Sequence, residues 1–209
     1  MKKKVFLVFM LVGCMLITAC ASENNNNNSN NNDSSYTESE EKKSNFYLKS
    51  LPEISNILSV GYTQKYDEVD NKYTFTPVQS WGGKASLAGY IYPLINISGD
   101  DETTGVVYKY TGSDWVFFDK IIIKTDSNRY EKDFDHYEVD RDTSSLGDVH
   151  VEEKVARLLD SDTYEMLKDI ASSSKTILRF SGEEGYRDRE LTQENKAQIQ
   201  RYLECFEEN

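Results

Sequence analysis

Cysteine is scarce in this chain of 209 residues, which contains only Cys14, Cys20 and Cys205. Two of the three lie within the first 20 residues, so the remaining chain has a single thiol and cannot form a disulfide within itself. A domain without disulfides has to derive its stability from an apolar core. Cys205 lies beside the apolar positions of the last predicted helix, which predicts a small, partly buried side chain and not a reactive thiol.

Histidine is scarcer still, and neither His136 nor His150 lies in a catalytic motif. The chain has no HExxH zinc pattern and no Gly-x-Ser-x-Gly nucleophile turn. Acidic pairs recur, but none has the glycine and glutamate that an EF-hand calcium loop requires. The sequence therefore predicts no catalytic residue, no metal and no cofactor, and a triad assembled from distant residues stays open as an alternative.

Basic residues are outnumbered, with 24 lysines and arginines against 36 aspartates and glutamates and a formal net charge of −12. Removal of residues 1–19, expected below, leaves 21 basic against the same 36 acidic residues. Such an acidic surface argues against nucleic acid and against an anionic membrane surface as binding partners.

The N-terminal apolar run is too short to cross a bilayer. It covers the 13 residues 5–17 and would rise about 20 Å as a helix, whereas the hydrocarbon core is about 30 Å thick. It follows Lys2-Lys3-Lys4 and precedes small residues, which is the layout of a secretory signal. We therefore expect residues 1–19 to be a cleaved signal peptide.

The run Ile17-Thr18-Ala19-Cys20 resembles the lipobox of bacterial lipoproteins. The resemblance implies that the Cys20 thiol accepts a diacylglyceryl group and that cleavage leaves Cys20 as the mature N-terminus. Two or three acyl chains would then hold the protein at the outer face of the bacterial cell membrane, where one chain binds only marginally. A second match at Leu11-Val12-Gly13-Cys14 follows only about eight apolar residues, and an ordinary secretory peptide is the other alternative.

Residues 20–45 are predicted to be the lipidated cysteine followed by a disordered linker. Residues 24–32 comprise eight asparagines and one serine, and Tyr36 is the single aromatic residue of the linker. Such a segment cannot bury enough apolar surface to offset the entropy of ordering it. A flexible chain of this length spans about 25–30 Å on average, which would keep the domain near the membrane. The asparagine- and lysine-rich composition suggests a Gram-positive host with a low-GC genome.

The first part of the remaining chain predicts one helix and three strands. Residues 51–58 suit a short helix, and residues 62–66 and 72–76 suit two strands across a polar turn. Residues 87–97 are strand-like, but Pro93 cannot donate a backbone hydrogen bond, which predicts an edge strand or a bent strand.

The middle part predicts a hairpin. Residues 106–111 alternate as a half-buried strand does, and Gly112-Ser113 suits a two-residue turn. The next strand, over residues 114–124, would place Trp115 opposite Tyr110. Apolar residues on both of its faces predict a central strand that is covered on both sides.

The last part predicts helices around a second hairpin. A strand near residues 130–135 precedes a helix over residues 152–159, and Asp162 with Glu165 suits the capping box of a further helix that ends at residues 172–174.

The second hairpin pairs residues 176–181 with 186–191 around the turn at 182–185. Thr192 is predicted to cap a final helix over residues 193–206.

Residues 46–209 are thus predicted to form one globular domain, long enough to bury a core. The order of elements predicts the α+β class. We expect an antiparallel β-sheet, a meander plus a C-terminal hairpin, with two or three helices packed on one face.

Residues 105–207 resemble a module found in uncharacterised bacterial proteins. The resemblance is carried by the runs at 112–126, 174–182 and 186–191, which share a pattern of aromatic, apolar and turn positions. It implies a fold and assigns no activity and no catalytic residue.

Three arginines, Arg179, Arg187 and Arg189, stand out in this acidic chain. They suit a docking patch for an acidic or phosphate-bearing partner. They equally suit pairing on the sheet surface with Asp188 and Glu190, because the hairpin register would set Arg179 opposite Asp188.

The aromatic residues between Tyr62 and Tyr92, including Trp81, suit either a sugar-stacking platform or a core lining. The sequence favours a non-enzymatic surface lipoprotein whose domain binds another envelope component, a protein or a glycan. An accessory or exclusion lipoprotein of a phage or mobile element, a glycan-binding module and an unrecognised hydrolase are the alternatives.

Overall fold

The computed structural model describes residues 46–78, 90–99, 101–144 and 150–208. All of these ranges belong to one compact unit, Glu41–Asn209. The predicted signal peptide, Cys14, Cys20, the linker and Trp81 lie outside the described residues. Within the described ranges, no helix is both long enough and apolar enough to cross a membrane.

Strands dominate the described ranges, and three α-helices and a 3-10 turn (His136–Glu138) lie among them. The elements are β1 (Phe46–Leu48), α1 (Leu51–Ile57), β2 (Tyr62–Asp67), β3 (Lys72–Pro77), β4 (Tyr90–Ser98), β5 (Asp101–Gly112), β6 (Phe118–Lys124), β7 (Arg129–Asp133), β8 (Asp140–Ser144), β9 (His150–Leu158), α2 (Ser161–Ser172), β10 (Ile177–Gly182), β11 (Gly185–Glu190), α3 (Gln193–Leu203) and β12 (Phe206–Glu208).

These strands form three sheets in which all neighbours are antiparallel. The large sheet has the order β2-β3-β4-β5-β9-β8, the small sheet has the order β11-β10-β6-β7, and β1 pairs with β12. Sheets and helices together confirm the predicted α+β class. The early helix, the β2–β3 hairpin, β7 and the C-terminal hairpin lie where the sequence predicts them, within two residues at each end.

The predicted hairpin at Gly112-Ser113 is wrong. Strand β5 pairs with β4 and β9, and the chain then crosses to the small sheet, where β6 pairs with β7 and β10. Tyr110 therefore does not pair with Trp115 across a turn. The crossing contains Phe117 in the left-handed region, with φ 50°, so the chain bends away from β5 just before β6 begins.

Strand β6 is internal to its sheet, as predicted, but it buries one face instead of two. Phe118, Ile121 and Ile123 are fully buried, whereas Ile122 is half-buried. Gly182 of β10 is opposite Phe118, and Ser181 is opposite Lys120, which leaves Asp119 as an extra residue. This bulge explains how Phe118 and Ile121 face the same core although they are three residues apart.

The predicted helix over residues 152–159 is wrong, because this segment is strand β9. Val151, Glu153 and Val155 are buried at alternating positions. Because the central inward residue is the charged Glu153, the sequence does not show the alternation of apolar and polar residues that is typical of a strand, and the surrounding residues favour helices. Pairing with β5 on one side and β8 on the other overrides that preference.

Of the two alternatives predicted for the strand around Pro93, an edge strand or a bent strand, the edge strand is wrong, since β4 lies between β3 and β5. Its pairing with β3 runs only from Ile95 to Ser98, so Pro93 lies beyond the end of that ladder. On the other side Pro93 is opposite Val106. The missing amide therefore removes no hydrogen bond from the paired stretch with β3.

The helix caps differ from the prediction in one place. Asp160, not Asp162, caps α2 and accepts a hydrogen bond from the Thr163 amide at 2.6 Å. Thr192 caps α3 as predicted and accepts from the Asn195 amide at 3.1 Å. Helix α3 ends at Leu203 because the chain turns there into β12.

A continuous apolar core joins the two larger sheets and the helices. Tyr110 of β5 contacts Phe180 of β10, with ring centroids 5.7 Å apart. Helix α3 packs against β4, and α2 packs against α3. The ammonium of Lys196 donates to the carbonyls of Ser173 and Ser174, which follow the C-terminus of α2, and so joins the two helices.

Cys205 is fully buried, and burial raises the pKa of its thiol to about 12. Burial also raises the pKa of Tyr92 and Tyr164 to about 12. These groups lose their protons more readily in the unfolded chain, where their ordinary pKa values are 9.0 and 10.0. Unfolding therefore becomes more favourable as pH rises through this interval.

We expect the stability to hold up to about pH 9 and to fall progressively between about pH 9 and about pH 12. Urea midpoints measured across this range test the expectation, and a midpoint independent of pH would contradict it. A thiol reagent at pH 8 should react with Cys205 only after denaturant is added.

Candidate binding surfaces: an arginine-capped edge and an acidic groove

The structure does not place the three predicted arginines on one surface. Arg179 is opposite Asp188 in the β10–β11 pair, whereas Arg187 and Arg189 are opposite Phe180 and Leu178. Opposite residues share a face of the sheet, and Phe180 and Leu178 are fully buried. Arg187 and Arg189 therefore lie on the core-facing side of β11, and Arg179 lies on the outer side.

Arg179 forms the ion pair that the hairpin register predicts. Its Nε donates to Oδ1 of Asp188 at 2.7 Å and its Nη2 donates to Oδ2 at 2.8 Å. Its guanidinium also lies 4.1 Å from the ring centroid of Tyr186. The hydrogen bond from Arg179 lowers the pKa of Asp188.

A double-mutant cycle on Arg179 and Asp188 should give a small favourable coupling, since both side chains are about 40% exposed. The coupling should shrink between about 0.1 M and 1 M salt, as the Debye length falls from about 10 to 3 Å. The coupling is obtained from the free energies of unfolding of the parent chain, the two single variants and the double variant, each measured by a denaturation curve. Zero coupling at low salt would mean that the pair is not formed in solution.

Arg187 and Arg189 cover the free edge of β11. The Leu191 amide donates to the Thr176 carbonyl at 2.9 Å. Backbone groups of alternate residues point in opposite directions along the ladder, so the N–H and C=O groups of odd-numbered residues of β11 point toward β10, and the carbonyls of Tyr186 and Asp188 point away from it. Arg187 Nη1 donates to the Tyr186 carbonyl at 2.9 Å, and Arg189 Nη1 donates to the Asp188 carbonyl at 3.0 Å. The two arginines thus occupy acceptors that an added strand would need.

A groove of about 600 Å³ lies where α2, α3, β7 and β12 meet. Its size is within the usual range of ligand sites. The lining residues come from four separate stretches of chain and are Asn128, Tyr130, Tyr164, Glu165, Lys168, Asp169, Ser172, Gln200, Leu203, Glu204, Phe206 and Glu208. No local sequence pattern spans these stretches, which explains why the sequence did not predict the groove.

Helix α2 supplies the polar wall of the groove. Glu165, Lys168, Asp169 and Ser172 recur at the spacing of one helical face, while the opposite face, with Met166, Leu167 and Ile170, is buried in the core. This amphipathic pattern is the one sequence signal that could have indicated the groove.

Asp169 links α2 to the small sheet through hydrogen bonds. Its Oδ2 accepts hydrogen bonds from the hydroxyl of Thr125 at 2.7 Å, the side-chain amide of Asn128 at 3.0 Å and the hydroxyl of Tyr130 at 3.0 Å. Burial raises the pKa of Asp169, but these three hydrogen bonds outweigh it and leave the pKa below its ordinary value. Asp169 is therefore a fixed negative charge at neutral pH.

Glu208 of β12 provides a second negative charge in the groove, next to Tyr164 and Lys168 of α2. Its Oε1 accepts from Lys168 Nζ at 3.0 Å and from the hydroxyl of Tyr164 at 3.2 Å. The hydrogen bonds from Lys168 and Tyr164 lower the pKa of Glu208, and the same contact with Glu208 raises the pKa of Lys168. Both groups stay charged over the physiological range.

The floor of the groove is apolar and aromatic. Tyr164 and Phe206 meet edge to face with centroids 5.6 Å apart, and Phe46 stacks on Tyr164 at 4.4 Å. Leu203 completes the floor. Strand β1, which follows the predicted linker, thus packs directly beneath the groove.

The two histidines lie apart from the groove. His136 is exposed in the 3-10 turn, where its carbonyl accepts from Arg141, and His150 opens β9. Within the described ranges neither imidazole forms a hydrogen bond with a hydroxyl, thiol or carboxylate. In the same ranges no three His, Cys, Asp or Glu side chains are grouped as metal ligands.

The predicted aromatic set is divided between the core and the surface. Tyr62 and Phe75 are buried, and the Tyr62 hydroxyl donates to the Gln198 carbonyl at 2.8 Å. Tyr90 and Tyr92 are half-buried on the other face of β4 from Ile91, with ring centroids 5.1 Å apart. Tyr62 therefore belongs to the core and cannot join a sugar-stacking platform.

A buried carboxylate that no sequence motif indicates holds the chain where it crosses between the sheets. Glu153 is fully buried, and its Oε1 accepts from the amides of Val116 at 2.7 Å and Phe117 at 3.0 Å. Its Oε2 accepts from the Phe118 amide at 2.9 Å and lies 3.5 Å from Arg141 Nε. The signal that could have found it is a glutamate at an inward position between Val151 and Val155.

Comparison with known proteins gives no relative for this chain. No family model, no curated protein and no solved structure matches it.

Proposed function

We propose that this chain is a lipoprotein held at the outer face of the bacterial cell membrane, and that its domain binds another envelope component through the groove between α2 and α3. The observation that supports binding is the groove itself, which combines an apolar floor with a rim of fixed charges. Specific sites in proteins are concave, with apolar linings and a few placed polar groups.

The membrane part of the proposal rests on the sequence. Residues 1–19 direct export, Cys20 carries the lipid, and the linker to residue 45 holds the domain close to the bilayer. The acidic composition keeps the domain away from anionic head groups, so the lipid alone contacts the membrane. The resemblance of residues 105–207 to a bacterial module fits such a protein without naming its partner.

In this proposal the domain binds without catalysis, and it uses no metal, cofactor or nucleic acid. A general acid or base works best with a pKa near the operating pH. The pKa values of Asp169 and Glu208 are instead lowered by their hydrogen-bond donors. Fixed charges of this kind suit electrostatic recognition and do not suit proton transfer near neutral pH.

The proposal also keeps the finer description of the fold, a meander plus a C-terminal hairpin with the helices on one face. The consecutive order β2-β3-β4-β5 and the packing of α3 on β4 support it.

The edge of β11 is a second candidate contact, for an acidic or phosphate-bearing partner. Arg187 and Arg189 form no ion pair with a carboxylate in the described part of the chain, since their guanidiniums donate to backbone carbonyls. A carboxylate or phosphate is a stronger acceptor than a backbone carbonyl and would compete for these donors. Arg179 is already engaged by Asp188.

A steric block tests the groove as the binding site. Gln200 and Gln193 are both exposed glutamines of α3, and Gln200 alone lines the groove. The mature chain carrying Cys20→Ser, made without residues 1–19, should bind envelope membranes of its host in a sedimentation assay. Gln200→Trp should weaken that binding at least about tenfold, the effect of losing about 1.4 kcal/mol, and Gln193→Trp should not. Equal binding by both variants would remove the groove from the proposal.

A further inference from the structure

The charge around the groove is mostly negative. Four carboxylates line it, and Lys168 supplies the single positive charge among the lining residues. Lys168 is shared between Glu208 at 3.0 Å and Glu165 at 3.4 Å. Glu204 accepts from Gln200 at 3.3 Å, and no lysine or arginine of the described residues forms an ion pair with it. A cleft lined by charge of one sign concentrates ions of the other sign.

The floor suits an aliphatic or cationic side chain. Lys168 Nζ lies 5.7 Å from the ring centroid of Tyr164 while it donates to Glu208. The groove thus already holds one ammonium between an aromatic face and a carboxylate, which is a favourable setting for a cation. Leu203 and Phe206 also line the groove, and with 7% and 6% of their surface exposed they add a narrow strip of apolar surface beside it.

We infer that the occupant of the groove is a cationic segment of a partner protein. Lysine and arginine combine an apolar stem with a charged head, so their stems fit the floor formed by Tyr164, Leu203 and Phe206 while their heads reach Glu165 and Glu204. Acidic peptides, nucleic acids and phospholipid phosphates are repelled by the same rim. The inference rests on the proposed function, because it names the chemistry of the partner that the groove takes.

The test uses an acetylated, amidated peptide of the sequence Lys-Leu-Lys-Leu-Lys as the probe and the mature full chain with Cys20→Ser. Affinity is measured by calorimetry, and the site is located by NMR shift changes. The groove variant E165Q/E204Q should bind about three- to tenfold more weakly than the parent chain, the loss expected from two exposed carboxylate–ammonium pairs. The matched control E183Q/E194Q removes the same charge from exposed positions outside the groove and should bind as the parent does.

Equal weakening by the two double variants, or shift changes spread over the whole acidic surface, would overturn the inference. Undiminished binding by E165Q/E204Q would overturn it as well. If Gln200→Trp still weakens envelope binding in that case, the groove remains the binding site and takes a partner of different chemistry. If Gln200→Trp has no effect either, the proposed function fails together with the inference.

Discussion

Replacing Cys20 with alanine should abolish the membrane anchor. Without the thiol there is no acceptor for the diacylglyceryl group, so the precursor should incorporate no labelled fatty acid and should keep residues 1–19. The wild-type chain should be labelled, processed and recovered with membranes. The effect should be all or none, because the lipid is the only strong contact with the bilayer in this account.

Cys14→Ala is the matched control for the anchor. It removes the other candidate cysteine of the signal region and should leave labelling and processing intact. Loss of labelling in Cys14→Ala with retention in Cys20→Ala would place the lipid at Cys14. Equal labelling of both variants would contradict the lipoprotein assignment at either position.

Replacing Glu153 with alanine should destabilise the domain more than any exposed substitution. The change leaves three amides without their acceptor, those of the buried residues Val116 and Phe118 and of the half-buried Phe117. It also leaves the guanidinium of Arg141 without its carboxylate at 3.5 Å. Removal of one member of a buried ion pair typically costs about 3–5 kcal/mol, a large share of the about 5–15 kcal/mol that stabilises a domain.

The size of this loss can be measured by urea denaturation, with two reference variants. Glu153→Gln keeps one acceptor oxygen and the volume of the side chain, so it should cost less than Glu153→Ala. Glu183→Ala changes an exposed glutamate of the β10–β11 turn and should have little effect. A loss below about 1 kcal/mol for Glu153→Ala, the value of one ordinary hydrogen bond, would show that the crossing does not depend on this carboxylate.

Sequence reasoning predicted the fold best where local signals and tertiary pairing agree. The β10–β11 hairpin has a glycine-bounded turn and strand alternation on both sides, so its register followed and Arg179 pairs with Asp188 as expected. The hairpin at Gly112-Ser113 had an equally good turn signal. It was wrong because Glu153, about 40 residues later, binds the amides after that turn and directs the chain into the other sheet.

The amphipathic pattern of α2 indicates a polar helix face but does not locate the groove. Its walls come from α2, α3, the start of β7 and β12, and only the packing of the two helices brings them together. Along the chain, Asp169 is an ordinary polar residue of an amphipathic helix. Its three hydrogen bonds to Thr125, Asn128 and Tyr130 exist only because α2 lies beside the small sheet.

Site-specific photo-crosslinking on intact cells tests the central claim most directly. A photoreactive amino acid replaces Gln200, inside the groove, or Gln193, outside it on the same helix, in the full-length lipidated protein. We expect a discrete crosslinked adduct from position 200 that is absent from position 193. The adduct should disappear when Ser172, which lines the opposite wall of the groove, is replaced with tryptophan. The same adducts from both positions, or an adduct from position 200 that persists with Ser172→Trp, would contradict the claim that the groove is the binding surface of a membrane-tethered domain.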